Sequence, residues 1–147
     1  VIALPILREL YWATLGHGAW RDGEPIRSAP DRDGFHEQDN VCIGTNALRV
    51  IDTRSVVGRL RDIGSCCAEL AWVSCGRLVA LCHLGEKAHD LAAGAVIAHE
   101  AGCRFGTIDG RELSPAELVS STPIVAPTFT APPLRLRSLM SETRRLP

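Results

Sequence analysis

Residues 61–102 read RDIGSCCAELAWVSCGRLVALCHLGEKAHDLAAGAVIAHEAG, a helix, a strand and a second helix in succession. Gly64-Ser65 has the form of a helix start, with Ser65 as N-cap of a helix running to Arg77. Within it Cys66, Cys67, Leu70, Ala71, Val73 and Ser74 leave only Glu69 and the ends clearly polar, which describes a mostly buried helix. Arg77 near its C-terminus complements the helix dipole. Residues 78–84, LVALCHL, have the length and composition of a buried strand. Asp90 then opens a helix over 91–101, where Ala92, Ala93, Gly94 and Ala95 offer a small-residue surface for close packing and Gly102 marks the stop. Two helix N-termini and one carboxylate are thereby brought to the ends of neighbouring elements, the place where α/β proteins hold small anionic ligands.

Downstream, residues 103–108 read as a strand with Asp109-Gly110 as its turn. Ser114-Pro115 supplies a cap and an N1 proline for a short helix, 123–127 (PIVAP) a last strand and 133–144 a final helix. Upstream lie a short buried strand, NVCIG at 40–44, a helical turn or two over 46–51, and an extended segment over 56–63 that delivers Gly64. Strands alternating with helices from residue 40 onward predict a layered α/β domain. Residues 28–39, SAPDRDGFHEQD, are polar with Pro and Gly and read as a linker. Before them VIALP and ELYWATL are two β-rich runs separated by Ile6-Leu7-Arg8, and Gly16-His17-Gly18 with Asp22-Gly23 supplies hairpin turn chemistry. The expected organisation is strands of an antiparallel sheet over 1–30 and an α/β domain over 31–147. Two or three strands alone are marginal in water. Because Val1 falls within an apparent strand, the sheet is expected to draw partners from another chain or from an upstream segment.

At 147 residues the chain has the size of one domain, able to bury roughly 68–70% of its unfolded surface. Formal charge is -1 with both signs interspersed, and aromatic residues make up 5%, so neither a basic stripe nor a stacking platform for nucleic acid is evident. Six cysteines, Cys42, Cys66, Cys67, Cys75, Cys82 and Cys103, form no C-x-x-C pair and sit in apolar runs, the pattern of reduced core thiols in a cytoplasmic protein. The uncharged run LAAGAVIA is far short of a membrane span, and VIALPIL lacks the basic region and cleavage site of a signal peptide.

Asp90 suits two roles from position alone: an N-cap, or a ligand for Mg²⁺, which accepts one or two carboxylates with waters and a phosphate. Gly64-Ser65-Cys66 allows close backbone approach, and free N–H groups of a first helical turn can hold hydroxyl or phosphate oxygens. His83, His89 and His99 with Asp90 raise a zinc reading, but no H-x-x-x-H spacing exists and His83 and His99 fall on different elements.

In combination these residues resemble the C-terminal half of the inositol monophosphatase family of Mg²⁺-dependent, lithium-sensitive phosphatases. The family pattern is an Arg, two residues, Gly-Ser, a helix ending V-A-x-G-R, a strand, then W-D-x-A-A-G and a helix ending E-A-G-G. This chain has Arg61, Gly64-Ser65, Val73-Ser74-Cys75-Gly76-Arg77, His89-Asp90-Leu91-Ala92-Ala93-Gly94 and Glu100-Ala101-Gly102-Cys103. Val1-Ile2 with Pro5, Glu9-Leu10-Tyr11, Gly16-His17-Gly18-Ala19 and Asp22-Gly23-Glu24-Pro25-Ile26 resemble the family's preceding segments, so the likeness runs over about residues 1–127 in consistent order.

The resemblance implies a sheet-and-helix sandwich, the C-terminal part of an αβαβα fold, with N-terminal strands left from an antiparallel sheet. It implies Asp90 as a Mg²⁺ ligand, and Gly64, Ser65 and Cys66 as positions whose backbone lies near substrate hydroxyls. His83 stands where many members carry a Glu that contacts the substrate sugar, and His89 where they carry an aromatic residue. The family reaction is phosphomonoester hydrolysis with two or three Mg²⁺ ions, on substrates such as an inositol, histidinol or sugar phosphate. The family's metal-binding Glu and D-P-x-D-G-T segment precede the region at which this chain starts. The expectation is therefore a phosphatase wall, inactive alone, completed by an N-terminal half or paired as a homodimer. The alternative is a non-catalytic module that associates through its exposed sheet edge.

Overall fold

In a computed structural model that describes residues 1–54, 56–120 and 124–146, the N-terminal β-rich runs form a four-stranded antiparallel meander. Its strands are β1 (Ile2–Leu4), β2 (Glu9–Ala13), β3 (Ala19–Arg21) and β4 (Glu24–Ile26), paired in sequence order. Pro5–Leu7, between the two runs, makes a single 3-10 turn. Strand alternation sends Ile2, Tyr11 and Ala19 to a buried face. Trp12 and Trp20, partners across β2 and β3, stack with ring centroids 5.4 Å apart.

The rest of the chain runs β5 (Asn40–Ile43), α1 (Thr45–Leu48), β6 (Ile51–Asp52), β7 (Arg59–Arg61), α2 (Cys66–Ser74), β8 (Ala80–His83) and α3 (Ala88–Glu100). It continues with β9 (Arg104–Thr107), β10 (Glu112–Leu113), α4 (Pro115–Leu118), β11 (Thr128–Ala131), α5 (Pro133–Glu142) and β12 (Arg144–Arg145). A six-stranded sheet has the order β10-β9-β11-β8-β5-β7, and β6 pairs with β12. β5 is parallel to β7 and β8, whereas β11 is antiparallel to β8 and β9.

Helices α2 and α3 fill the space between the two sheets. Leu70, Val73, Leu91, Ala95 and Ala98 pack with Cys42, Leu81 and Phe105 of the large sheet. Ala71, Ile97 and Ala101 pack with Ile2, Tyr11 and Ala19 of the meander. A helix covered on both sides has to be apolar all round, which is why these two lack a polar stripe. On the far side of the large sheet Val41, Ile43, Cys82 and Phe129 cluster with Leu136 and Leu139 of α5. The layers are thus meander, helix pair, sheet and helix, the sandwich that the sequence predicts. No helix among the described residues is long and apolar enough to cross a membrane.

The small-residue surface of α3 serves the close packing expected of it. A Cβ placed on Gly94 would lie 2.6 Å from Cβ of Leu70, so the axes of α2 and α3 come closer than any larger residue allows. Polar anchors tie the layers together. The Arg77 guanidinium donates to both oxygens of Glu9, at 2.9 and 2.5 Å, and holds that carboxyl below its usual range. Glu100, at the end of α3, accepts from Gly16 and Gly18 N–H at 2.9 and 2.8 Å and fixes the hairpin turn.

Several boundaries differ from the sequence expectation. α2 stops at Ser74, because Gly76 takes a left-handed conformation (φ 75) and releases Arg77 towards the meander. α3 starts at Ala88 with Lys87 as N-cap, so Asp90 is its third residue and not its opening. The helical turn expected over 46–51 is Thr45–Leu48, and Ile51 passes into β6. α5 ends at Glu142, and Arg144 pairs in β12. The last strand of the large sheet is Thr128–Ala131 instead of 123–127, where Ile124 to Pro127 have no regular structure and Pro123 lies outside the described residues. Residues 28–39 contain no regular element but are no free linker. Arg135 of α5, 2% exposed, donates to Asp39 at 2.7 Å and to the carbonyls of Pro30 and Gly34, and so clamps the segment down.

Candidate functional site

The parallel strands β5, β7 and β8 end at a common edge of the sheet. Each is followed by a loop into a helix: Gly44 into α1, Asp62 to Ser65 into α2, and Leu84 to Lys87 into α3. In open α/β sheets the crevice beyond the carboxyl ends of the strands is where ligands bind. Here it is a cavity of about 170 Å³ bordered by Gly44, Asp62, Gly64, Ser65, Cys66 and Glu86, among others.

The turn into α2 sets the geometry. Gly64 has φ +76, a conformation that favours glycine, and this lets the backbone swing directly into the helix. Ile63 and Gly64 N–H both donate to Oε1 of Glu69, at 3.1 and 3.0 Å. Gly64 N–H also reaches Asp62 Oδ1 at 3.2 Å, and the Thr45 hydroxyl donates to the other oxygen of Asp62. Ser65 stands at the N-cap position as expected, but its side chain makes no capping hydrogen bond. The first-turn N–H groups of α2 thus lack a serine cap at the mouth of the cavity, an arrangement suited to hydroxyl or phosphate oxygens.

Cys66 borders this cavity. Burial pushes its thiol well above the ordinary range, with the carboxylates of Glu86 and Glu69 adding to the effect, so the sulfur stays protonated and is a poor nucleophile. Burial raises the Glu86 carboxyl as well, reinforced by the charges of Asp90 and Glu69.

Asp90 does not border the cavity. It is joined to the start of α2 by the Cys67 thiol, which donates to the Asp90 carbonyl at 3.1 Å, and its carboxylate lies 3.5 Å from Nε2 of His89 with 39% of the side chain exposed. His83 is the last residue of β8. It lines a second cavity, about 330 Å³, together with Lys87, Ala88, Leu91 and Leu118. Burial lowers its imidazole to about 4, and its buried Nε2 has no hydrogen-bond partner. Glu86 borders both cavities.

Three groups of this edge, Asp62, Glu69 and Glu86, are not among the residues singled out from the sequence. Glu69 carries a signal there, as the one clearly polar side chain within an otherwise apolar helix; Asp62 and Glu86 look like ordinary loop acids. Among the described residues no group of three or more His, Cys, Asp or Glu side chains is gathered so as to hold a metal ion. The described residues on their own do not make a Mg²⁺ centre, and Asp90 provides one half-buried carboxylate.

Comparison with known proteins places this arrangement. The sequence profile of the inositol monophosphatase family matches residues 1–141. Inositol monophosphatase 1 of Solanum lycopersicum is 34% identical over 112 residues, which cover 69% of this chain and 41% of that protein. The fructose-1,6-bisphosphatase/inositol-1-monophosphatase of Methanothermobacter thermautotrophicus is 36% identical over 110 residues, covering 69% and 39%. A solved Pyrococcus horikoshii protein, described by its similarities to inositol-1 monophosphatase, superposes with a TM-score of 0.77 at 27% identity over 97% of this chain and 55% of its own. The chain thus spans about two fifths of the length of the curated relatives it matches.

Proposed function

We propose, from the premise that this chain belongs to the inositol monophosphatase family, that it forms the substrate-facing wall of a phosphomonoesterase acting on a small phosphate ester. The observation that carries this reading is the convergence of three parallel strand ends on the uncapped N-terminus of α2, behind a glycine that brings the backbone into the cavity. Beyond Gly64, whose own N–H is taken by Glu69, the Ser65-Cys66 backbone offers N–H groups to hydroxyl or phosphate oxygens without adding charge. Candidate substrates are an inositol, histidinol or sugar phosphate. The fructose-1,6-bisphosphatase/inositol-1-monophosphatase relative supports a range wider than inositol esters.

The family is generally Mg²⁺-dependent. Asp90 would give one carboxylate to a metal whose other ligands lie in the part of the longer relatives that this chain does not span. The length of the relatives supports that reading, since they are more than twice as long as the stretch they share with this chain. Within this chain the chemistry is therefore that of binding and orientation. Six free thiols support a reducing compartment such as the cytoplasm.

The test uses a protein in which this chain follows the upstream segment found in full-length relatives. Phosphate release from an inositol monophosphate, histidinol phosphate and fructose bisphosphate is measured with Mg²⁺. We expect release from at least one ester, and a loss of about a hundredfold or more in Asp90→Asn with unchanged thermal stability. A wild-type protein that hydrolyses none of them refutes the phosphatase reading. Full activity in Asp90→Asn refutes the role of that carboxylate.

A further inference from the structure

Glu69 is the charged side chain that the burial of α2 leaves without a packing explanation. It is 3% exposed, between the helix pair and the large sheet, where a carboxylate is costly unless its oxygens are used. Its Oε1 accepts the N–H groups of Ile63 and Gly64, the two residues that lead into Ser65 and Cys66. A side chain four residues into α2 thus reaches back to hold the incoming loop, a task that Ser65 at the cap position does not perform. Asp62 holds the same loop through Gly64 N–H and is itself held by the Thr45 hydroxyl. On the sheet side stands Cys42, its thiol pushed up to about 12 by burial and by the neighbouring Glu69, so it presents a neutral surface.

The consequence concerns direction. With the Ile63 and Gly64 donors committed to Glu69, the path of the chain at Gly64 is set, and with it the aim of the first-turn N–H groups of α2. We infer that Glu69, which borders the same cavity, is a positioning residue: by holding Ile63 and Gly64 it sets the affinity of the α2 start for the hydroxyl-bearing part of a phosphate ester. This rests on the phosphomonoesterase reading and adds to it the residue that tunes polyol recognition.

The experiment compares two esters in the protein joined to the upstream segment of its relatives: an inositol monophosphate, rich in hydroxyls, and nitrophenyl phosphate, which has none. Glu69→Ala is expected to raise KM for the inositol ester about tenfold, through loss of two hydrogen bonds to a buried carboxylate. KM for nitrophenyl phosphate should stay within about twofold, because the lost interaction concerns hydroxyl binding. Glu69→Gln keeps an acceptor at the same place and should restore both values. Should the alanine variant not fold, Glu69→Asp retains the charge but withdraws the oxygen by one methylene, and the same split is expected. A KM that rises equally for both esters, or Asp and Ala variants with wild-type KM, overturns the role of Glu69 while leaving the phosphatase reading standing. A wild-type protein inactive on both esters overturns both.

Discussion

Gly94→Ala sets two ordinary effects against each other and makes the helix pair testable by sign. In an exposed helix interior the change would stabilise by about 1 kcal/mol, because alanine is the better helix former. Here the new Cβ would stand 2.6 Å from Cβ of Leu70, a side chain with 0% exposure. Carbon atoms pack at about 3.5–4.0 Å, so α2 and α3 would have to part by roughly 1 Å. The clash is with an atom fixed to the backbone of α2, so no rotamer change relieves it. Overpacking of this kind costs about 1–3 kcal/mol, and the upper part of that range applies. After the propensity gain a net loss of about 1–2 kcal/mol remains, a fall in Tm of roughly 2–8 °C for a domain of this size. Thermal and urea unfolding measure it, with Ala92→Gly at an exposed position of the same helix as the control for propensity alone. A Gly94→Ala protein with raised Tm would refute the close approach of the two helices.

Three further outcomes concern buried ionisable groups. Burial opposes ionisation of Asp39, but the His36 N–H and the guanidinium groups of Arg135 and Arg32 outweigh it and hold the carboxyl at about 2. This depressed value contributes stability that is complete above the unfolded value near 3.9 and is lost as pH falls towards 2, so Asp39→Asn should flatten the fall in urea midpoint across that window; an unchanged profile refutes the pairing. Arg135→Ala removes the buried guanidinium but leaves Asp39 bonded to Arg32 and the His36 N–H, so it should cost about 1.5–3 kcal/mol at neutral pH, the worth of a hydrogen bond to a charged group; an unchanged urea midpoint refutes the clamp. His83, lowered to about 4 by burial, refuses a proton that the unfolded chain accepts near 6.5, so its share of the stability declines as pH drops from 6.5 to 4 and is constant above. By NMR its imidazole should show no titration between about pH 5.5 and 8; a midpoint near 6.5 refutes its burial.

Legibility followed the range of the forces involved. The Ser114-Pro115 start was readable because a capping box is closed within three residues, and Ser114 and Glu117 do bond reciprocally. The start of α3 differs from its sequence expectation because Ala88 and His89 carry no cap signal, so the acidic Asp90 suggests the opening that belongs to Lys87. The polar stretch 28–39 resembled a linker because the group that fastens it, Arg135, lies about a hundred residues away. Arg77 suits a helix end by its charge, but its partner is Glu9, and only the packing of the meander on α2 brings them together. The candidate site divides in the same way: Gly64-Ser65-Cys66 carries local backbone chemistry, whereas whether His83 shares its cavity depends on how strand ends and loops meet.

Patterns local to a few residues, namely apolar runs, turn glycines and caps, were enough to specify two β-rich runs, a doubly buried helix pair and a layered α/β order, because each reflects the conformational preference and hydrophobicity of its own segment. Which groups face one another was settled by the folded chain. Packing brought Arg77 against Glu9 and Arg135 against Asp39, and set His83 beside a second cavity with Leu118 and Thr128. Those distances arise from contacts between segments remote in sequence, and a one-dimensional pattern carries no measure of them.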